Sequence, residues 1–224
     1  STESWFLDLA ANGTKEYYEK KGLPTGTRRT TGQGFEEVFI PAPLKANLPT
    51  NELISIEVLD EWARLAFEGS KRLNHIQSKV FDIAYNTSEN MLICAPTGAG
   101  KTNIAMLSYL QLVKQFVSPT GEIDKRNFKA IYIAPMKALA QEVVEKFSQR
   151  LKPLGLIVRE FTGDMQLSRQ EIVDSQLIVT TPEKWDVVTR KGGDGSLGTL
   201  VSLIIIDEIH LLAEDRGAVI ETIV

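Results

Sequence analysis

The sequence predicts an α/β fold, a parallel sheet sandwiched by helices and preceded by an extended N-terminal arm. Apolar runs of strand length recur at 91–95, 129–134, 156–161, 176–181 and 201–206. Stretches with apolar residues at helical spacing separate them, the pattern of strands buried on both faces and joined by helical crossovers. The first and last of these runs stop abruptly at polar residues, as expected where ligands sit at the carboxyl ends of parallel strands.

Composition sets the bounds. The 224 residues suffice for one good-sized core plus an extension. A hydrophobic content of 43% and a mean hydropathy of -0.09 are those of a soluble globular chain. No apolar run approaches the roughly 20 residues needed to span a bilayer, so no membrane partner is expected. The opening STESWF is neither a signal peptide nor an Arg-rich transit segment, which favours the cytosol or nucleus. The single Cys94 excludes an internal disulfide and cannot alone make a zinc site; within its apolar run it reads as a small buried filler. A net charge of -4 and a pI near 5.4 argue against gripping nucleic acid by bulk electrostatics, though not against a narrow track of a few phosphate contacts.

The elements follow in order. Residues 1–50 are rich in Gly, Pro and Thr with little apolar periodicity, and read as the arm, with a short helix at 5–11 and a strand at 35–40. Residues 51–224 form the second domain, incomplete at its C-terminal end. Val58, Leu59, Trp62, Leu65 and Ala66 recur at helical spacing, as do Leu73, Ile76, Gln77, Val80, Phe81 and Ala84. A strand at 91–95 leads to a helix at 101–116, and a strand at 129–134 to a helix at 137–151. A strand at 156–161, a short helix at 168–173, a strand at 176–181 and a helix at 183–190 follow. The strand at 201–206 is fully apolar but for Ser202, and a last helix begins near Arg216. The glycine-rich 192–198 reads as a surface loop, because no Lys-Thr helix start follows it.

Two segments carry the chemistry. APTGAGKT, 95–102, fits the phosphate-loop pattern with Ala95 in place of the usual first glycine. Gly98 and Gly100 let the backbone fold closely with Pro96, Thr97 and Ala99 around phosphates, amides inward, and the following helix adds the partial positive charge of its N-terminus. Lys101 is expected to reach the β- and γ-phosphates and Thr102 to offer its hydroxyl to Mg²⁺. An ordinary strand-turn-helix corner needs a glycine but has no use for Gly-Lys-Thr. In IIDEIH, 205–210, the strand end places Asp207 to hold Mg²⁺ through water and Glu208 to orient and deprotonate the attacking water. Together they imply a site for Mg-ATP or a related nucleoside triphosphate.

With the segments between them, these motifs resemble the first motor domain, RecA-like, of superfamily 2 DExH-box helicases, over about residues 35–224. The resemblance makes Gln77 in LNHIQ, 73–77, the reader of the adenine edge; on residues alone a polar position on an amphipathic helix is the favoured reading. APMKALA at 134–140, FTGD at 161–164 and TPEKWD at 181–186 match motifs lining a single-strand track, where strand ends become turns with exposed amides and hydroxyls. By the resemblance, Pro135, Lys137, Thr162, Gly163, Thr181 and Pro182 face the backbone of single-stranded RNA. His210 would couple the nucleotide site to a second motor domain, although a helix-start polar residue facing water has the same sequence. His75 reads as an exposed helix residue.

The wording is closest to the superkiller-like tandem-cassette group, in its N-terminal cassette. CAPTGAGKTN, TPEKWD and DEIHLL are shared by the spliceosomal U5 type and the signal-cointegrator type; AYNTSENMLIC at 84–94 and APMKALA favour the latter. The arm's GFEEVFIP, 34–41, resembles the lead-in to that cassette. AED at 213–215, where the spliceosomal type tends to carry HDD, is a departure beyond the catalytic acids. The resemblance implies ATP-driven 3′ to 5′ movement on RNA, action on stalled or collided ribosomes in translation quality control, and a cytosolic complex with ribosome- and ubiquitin-binding subunits.

Three other readings stay open. One is the spliceosomal RNA helicase. Another is a catalytically silent ATP-binding docking cassette, against which the intact Lys101, Thr102, Asp207 and Glu208 argue. A small-molecule kinase would leave the three track motifs unexplained. The fragment by itself is expected to hydrolyse ATP poorly.

Overall fold

The computed structural model describes residues 26–32, 35–39, 53–191 and 200–212. The helix expected at 5–11, the loop at 192–198 and the helix expected from Arg216 lie outside them. The chain divides into two compact units, Ser1–Leu48 and Pro49–Val224.

In the first unit β1 (Arg28–Gly32) and β2 (Phe35–Phe39) pair antiparallel, from Arg28 opposite Phe39 to Gly32 opposite Phe35. The second strand lies where the sequence placed one; the first was not anticipated. The Arg28 guanidinium sits 5.8 Å from the centre of the Phe39 ring, a cation–π contact at an exposed site.

The second unit opens with a short helix, α1 (Glu61–Arg64). Next come α2 (His75–Asn86), α3 (Lys101–Lys114), β3 (Lys129–Ile133) and α4 (Lys137–Leu151). The rest is β4 (Val158–Phe161), α5 (Arg169–Asp174), β5 (Leu177–Thr180), α6 (Pro182–Lys191) and β6 (Val201–Ile206). The strands form one parallel sheet in the order β4-β5-β3-β6. Crossover helices are what parallel neighbours require, and each strand-to-strand path here carries one.

Alternate strand residues feed two cores. Ala130, Tyr132, Leu177 and Val179 point to one face, against Phe147 and Leu151 of α4 and Leu107 and Leu110 of α3. Ile131, Ile133 and Ile178 point to the other, against Trp185 of α6, with Ile172 of α5 packed alongside. All five residues of β3 are buried. That explains why 129–134 reads as an apolar run rather than an alternation.

Lys129 is the exception in composition. It is 1% exposed, and its ammonium donates to the carbonyls of Val173 (3.1 Å) and Ser175 (2.5 Å). These carbonyls close the C-terminal end of α5, where helix carbonyls lack partners in the helix itself. Burial pushes the Lys129 pKa down, and the charge of Asp174 partly opposes that.

One expected strand is corrected. Residues 91–95 are in no sheet; their positions alternate between half-buried and exposed, with Leu92 73% exposed. Met91 and Ile93 pack on the core, but the segment pairs with no strand among the described residues. A strand needs a neighbouring edge, and side-chain pattern does not supply one. The same geometry exposes Cys94, which was expected to be buried. The remaining described elements of this unit lie within a few residues of their expected bounds.

Candidate functional site

Register places the strand ends together. Ile133 lies opposite both Thr180 and Ile206, and Phe161 opposite Thr180. The residues that follow leave the sheet along one edge, the carboxyl edge at which open α/β sheets bind ligands. Asp207 N donates to Ile133 O at 2.9 Å and Ala134 N to Thr180 O at 2.9 Å, so the ladder extends one residue past the strands.

The phosphate loop turns sharply. Ala99 N donates to Pro96 O at 3.1 Å, and Gly98 and Gly100 both have positive φ, 80° and 89°. Gly100 is the N-cap residue of α3 and carries no side-chain cap, leaving the first-turn N–H groups free of side-chain acceptors. Its positive φ demands glycine there, and two side-chain ends crowd the position. A Cβ on Gly100 would lie 2.3 Å from Gln77 Nε2 and 2.8 Å from Asn74 Nδ2.

The two motifs meet. Lys101 Nζ lies 3.4 Å from Glu208 Oε1, across 107 residues of sequence, with both side chains about a quarter exposed. His210 Nε2 lies 3.3 Å from Glu208 Oε2. The Glu208 carboxylate therefore bridges the loop lysine and the histidine. Glu208 is the one non-glycine residue of positive φ among those described, at 50°, a conformation that costs on the order of 1 kcal/mol or more. That reversal carries the chain from β6 into the short 3₁₀ turn Ile209–Leu212.

Asp207 is oriented from below. The Tyr132 hydroxyl of β3 donates to its Oδ2 at 2.8 Å. Burial, and then the Asp207 charge, push the Tyr132 pKa well above its usual value, so the phenol stays a donor. No group of three His, Cys, Asp or Glu side chains able to cage a metal occurs among the described residues. One carboxylate (Asp207) and one hydroxyl (Thr102), completed by water and phosphate oxygens, suit Mg²⁺, which keeps several waters; they do not suit a structural zinc.

Gln77 is 4% exposed and engaged within the protein. Its Oε1 accepts from Asn74 N (3.0 Å) and its Nε2 donates to Gly100 O (2.9 Å). One N–H and one lone pair of the carboxamide remain for a base edge.

The track residues line the other strand ends. Thr162 is fully buried, its hydroxyl donating to Glu160 Oε1 at 2.5 Å and its carbonyl accepting from Met165 N at 3.1 Å, so it shapes the turn and offers no exposed group to a strand. Gly163 has φ 57°, and a Cβ there would meet Lys137 Nζ at 4.0 Å. Thr181 is 8% exposed, and Pro182 begins α6, where a missing N–H costs nothing. Pro135 follows β3, and Lys137 is the first residue of α4.

Three residues of these sites escaped sequence reasoning. Lys184 Nζ donates to Gly163 O at 3.0 Å and sits 4.7 Å from the Phe161 ring centre. Tyr132 had only the signal of a buried aromatic. Asn74 had a readable one, Asn-x-x-Gln at a helix start, the pattern of a capping box.

Comparison with known proteins identifies the fold and the family. A DExH-box ATP-dependent RNA helicase of Arabidopsis thaliana, DExH14, is 57% identical over 220 residues, covering 98% of this chain and 10% of that protein. The human activating signal cointegrator 1 complex subunit 3 is 58% identical over 204 residues, 90% of this chain and 9% of that protein. The chain thus spans about a tenth of the length of these relatives. A solved structure, a hypothetical ATP-dependent RNA helicase from Sulfolobus tokodaii, shares the fold with a TM-score of 0.56 at 21% identity, over 74% of this chain and 45% of that one. The DEAD/DEAH box helicase description matches residues 74–224. Two thirds of the sequence, from the capping box of α2 onward, thereby places the chain in the DEAD/DEAH box helicase family.

Proposed function

We propose that this chain is the first motor domain of the N-terminal cassette of a 3′ to 5′ RNA helicase acting on stalled or collided ribosomes. The observation that carries the nucleotide half is the Lys101–Glu208 contact, which brings the phosphate loop and the carboxylate pair within one ligand's reach. Pro96, Thr97, Gly98, Ala99 and Gly100 shape the cradle, Lys101 binds phosphate, and Gln77 offers its free N–H and lone pair to adenine. Thr102 and Asp207 would hold Mg²⁺, which when bound neutralises phosphate charge. Glu208 takes the proton of the attacking water, and His210, adjacent to it, links the site to a second motor domain. Pro135, Lys137, Gly163, Thr181 and Pro182 contact the RNA backbone, a mode that reads no sequence, and the buried Thr162 holds the turn that presents Gly163.

Action within a multi-subunit complex is supported by one relative, named a subunit of the activating signal cointegrator 1 complex. The cytosolic, ribosome-associated setting and the ribosome- and ubiquitin-binding subunits are part of the proposal. The decisive test is made in the full-length protein. Lys101→Ala and Glu208→Gln should each abolish RNA-stimulated ATP hydrolysis and ribosome splitting; splitting that survived both would favour a silent docking cassette. Affinity purification should recover ribosomes, whereas recovery of U5 particles would favour the spliceosomal reading.

A further inference from the structure

We propose that Asn74 is a positioning residue of the phosphate loop, a latch between the start of α2 and Ala99 that serves nucleotides of every base alike. This rests on the Mg-ATP reading of the loop. Asn74 uses its carboxamide twice. Oδ1 accepts from Gln77 N at 2.9 Å and caps α2, while Nδ2 donates to Ala99 O at 2.8 Å. Gln77 returns the arrangement, its Oε1 accepting from Asn74 N at 3.0 Å and its Nε2 donating to Gly100 O at 2.9 Å. A reciprocal capping box normally ends there. Here both nitrogens also reach consecutive carbonyls of a loop more than 20 residues away.

The consequence follows from peptide geometry. In a trans peptide the C=O and N–H point to opposite sides. Holding the Ala99 and Gly100 carbonyls toward α2 aims the N–H groups of Gly100 and Lys101 away from it. These N–H groups stand at the N-terminus of α3, where a phosphate would be cradled. The latch therefore preorganises phosphate donors and touches no base. Tight contact reinforces it, since a Cβ on Gly100 would collide with both carboxamide nitrogens. Other good cap residues supply the acceptor for Gln77 N, but Asn also supplies an amide donor for Ala99.

Asn74→Ser separates the two roles: the hydroxyl keeps the cap, and the donor to Ala99 is lost. Binding of fluorescent ADP and fluorescent GDP to the full-length protein is measured well below the melting temperature, with Asn74→Ala and Lys101→Ala alongside. Asn74 is exposed and water competes for the Ala99 carbonyl, so the expected loss is modest. Kd should rise roughly two- to fivefold for Asn74→Ser, by the same factor for both nucleotides. Asn74→Ala should bind as weakly as Asn74→Ser and melt lower, having lost the cap as well. Wild-type binding by Asn74→Ser, or a loss confined to the adenine nucleotide, would overturn the latch. If Lys101→Ala also bound like wild type, the error would lie in the phosphate-loop reading itself.

Discussion

Tyr132→Phe removes one oxygen atom from the interior of β3 and tests whether Asp207 is held from below. The ring is 4% exposed and packs edge to face on Phe147 with centroids 5.8 Å apart, so the substitution leaves packing intact. What disappears is the 2.8 Å hydrogen bond to Asp207 Oδ2. Hydrogen bonds to charged groups contribute about 1.5–3 kcal/mol. Asp207 is half-buried, and water can replace the phenol on its open side, which selects the low end, about 1.5 kcal/mol. If that energy serves to orient the carboxylate, its loss corresponds to about a tenfold change in an equilibrium. The assay is ATP hydrolysis by the full-length protein over a range of Mg²⁺ concentrations, with denaturant unfolding of the same variant. Half-saturating Mg²⁺ should rise several-fold, towards tenfold, and unfolding free energy should fall by about 1.5 kcal/mol. A full stability loss with an unchanged Mg²⁺ curve would refute the orienting role and leave Tyr132 as a prop.

Phe147→Ala empties a fully buried position between α4 and the sheet and should cost about 3–5 kcal/mol in denaturant unfolding. Lys184→Met frees the Gly163 carbonyl and ends the contact with the Phe161 ring; RNA affinity of the full-length protein should fall by roughly two- to tenfold, with ATP affinity unchanged in the absence of RNA. Burial raises the Asp60 pKa, but hydrogen bonds with Tyr85 and Lys114 outweigh it and hold the carboxyl below its ordinary value. A lowered folded-state pKa contributes stability that is present above about pH 4 and disappears as pH falls through the folded value. The group is substantially exposed, so Asp60→Asn should cost under about 1 kcal/mol at pH 7, and the gap in melting temperature from wild type should shrink as pH falls through the folded-state value.

The difference between what could and could not be read in this sequence is one of range. Strands β3 and β5 were legible because a strand buried on both faces must be apolar at nearly every position; β6 was legible from its apolar run although Ile204 on it is exposed. The phosphate loop was legible because Gly98, Gly100, Lys101 and Thr102 are consecutive or nearly so, and their chemistry is local. Residues 91–95 satisfied the same pattern as β6, yet they pair with nothing described; apolar character is a property of the segment, whereas hydrogen bonding needs a second edge. The links that join the local features were invisible for a related reason. Tyr132 and Asp207 are 75 residues apart, Lys184 and Gly163 are 21 apart, and Asn74 and Ala99 are 25 apart. Each is a common residue in an ordinary position until register or helix packing brings its partner within 3 Å. Asn74 shows where the boundary falls. Its bond to Gln77 N spans three residues and could be inferred from helix-start chemistry alone. Its bond to the Ala99 carbonyl, made by the other end of the same carboxamide, depends on where α3 packs against α2. A motif can therefore be complete in sequence while its preorganisation comes from residues outside it, and those residues are where substitutions should alter affinity without touching a ligand.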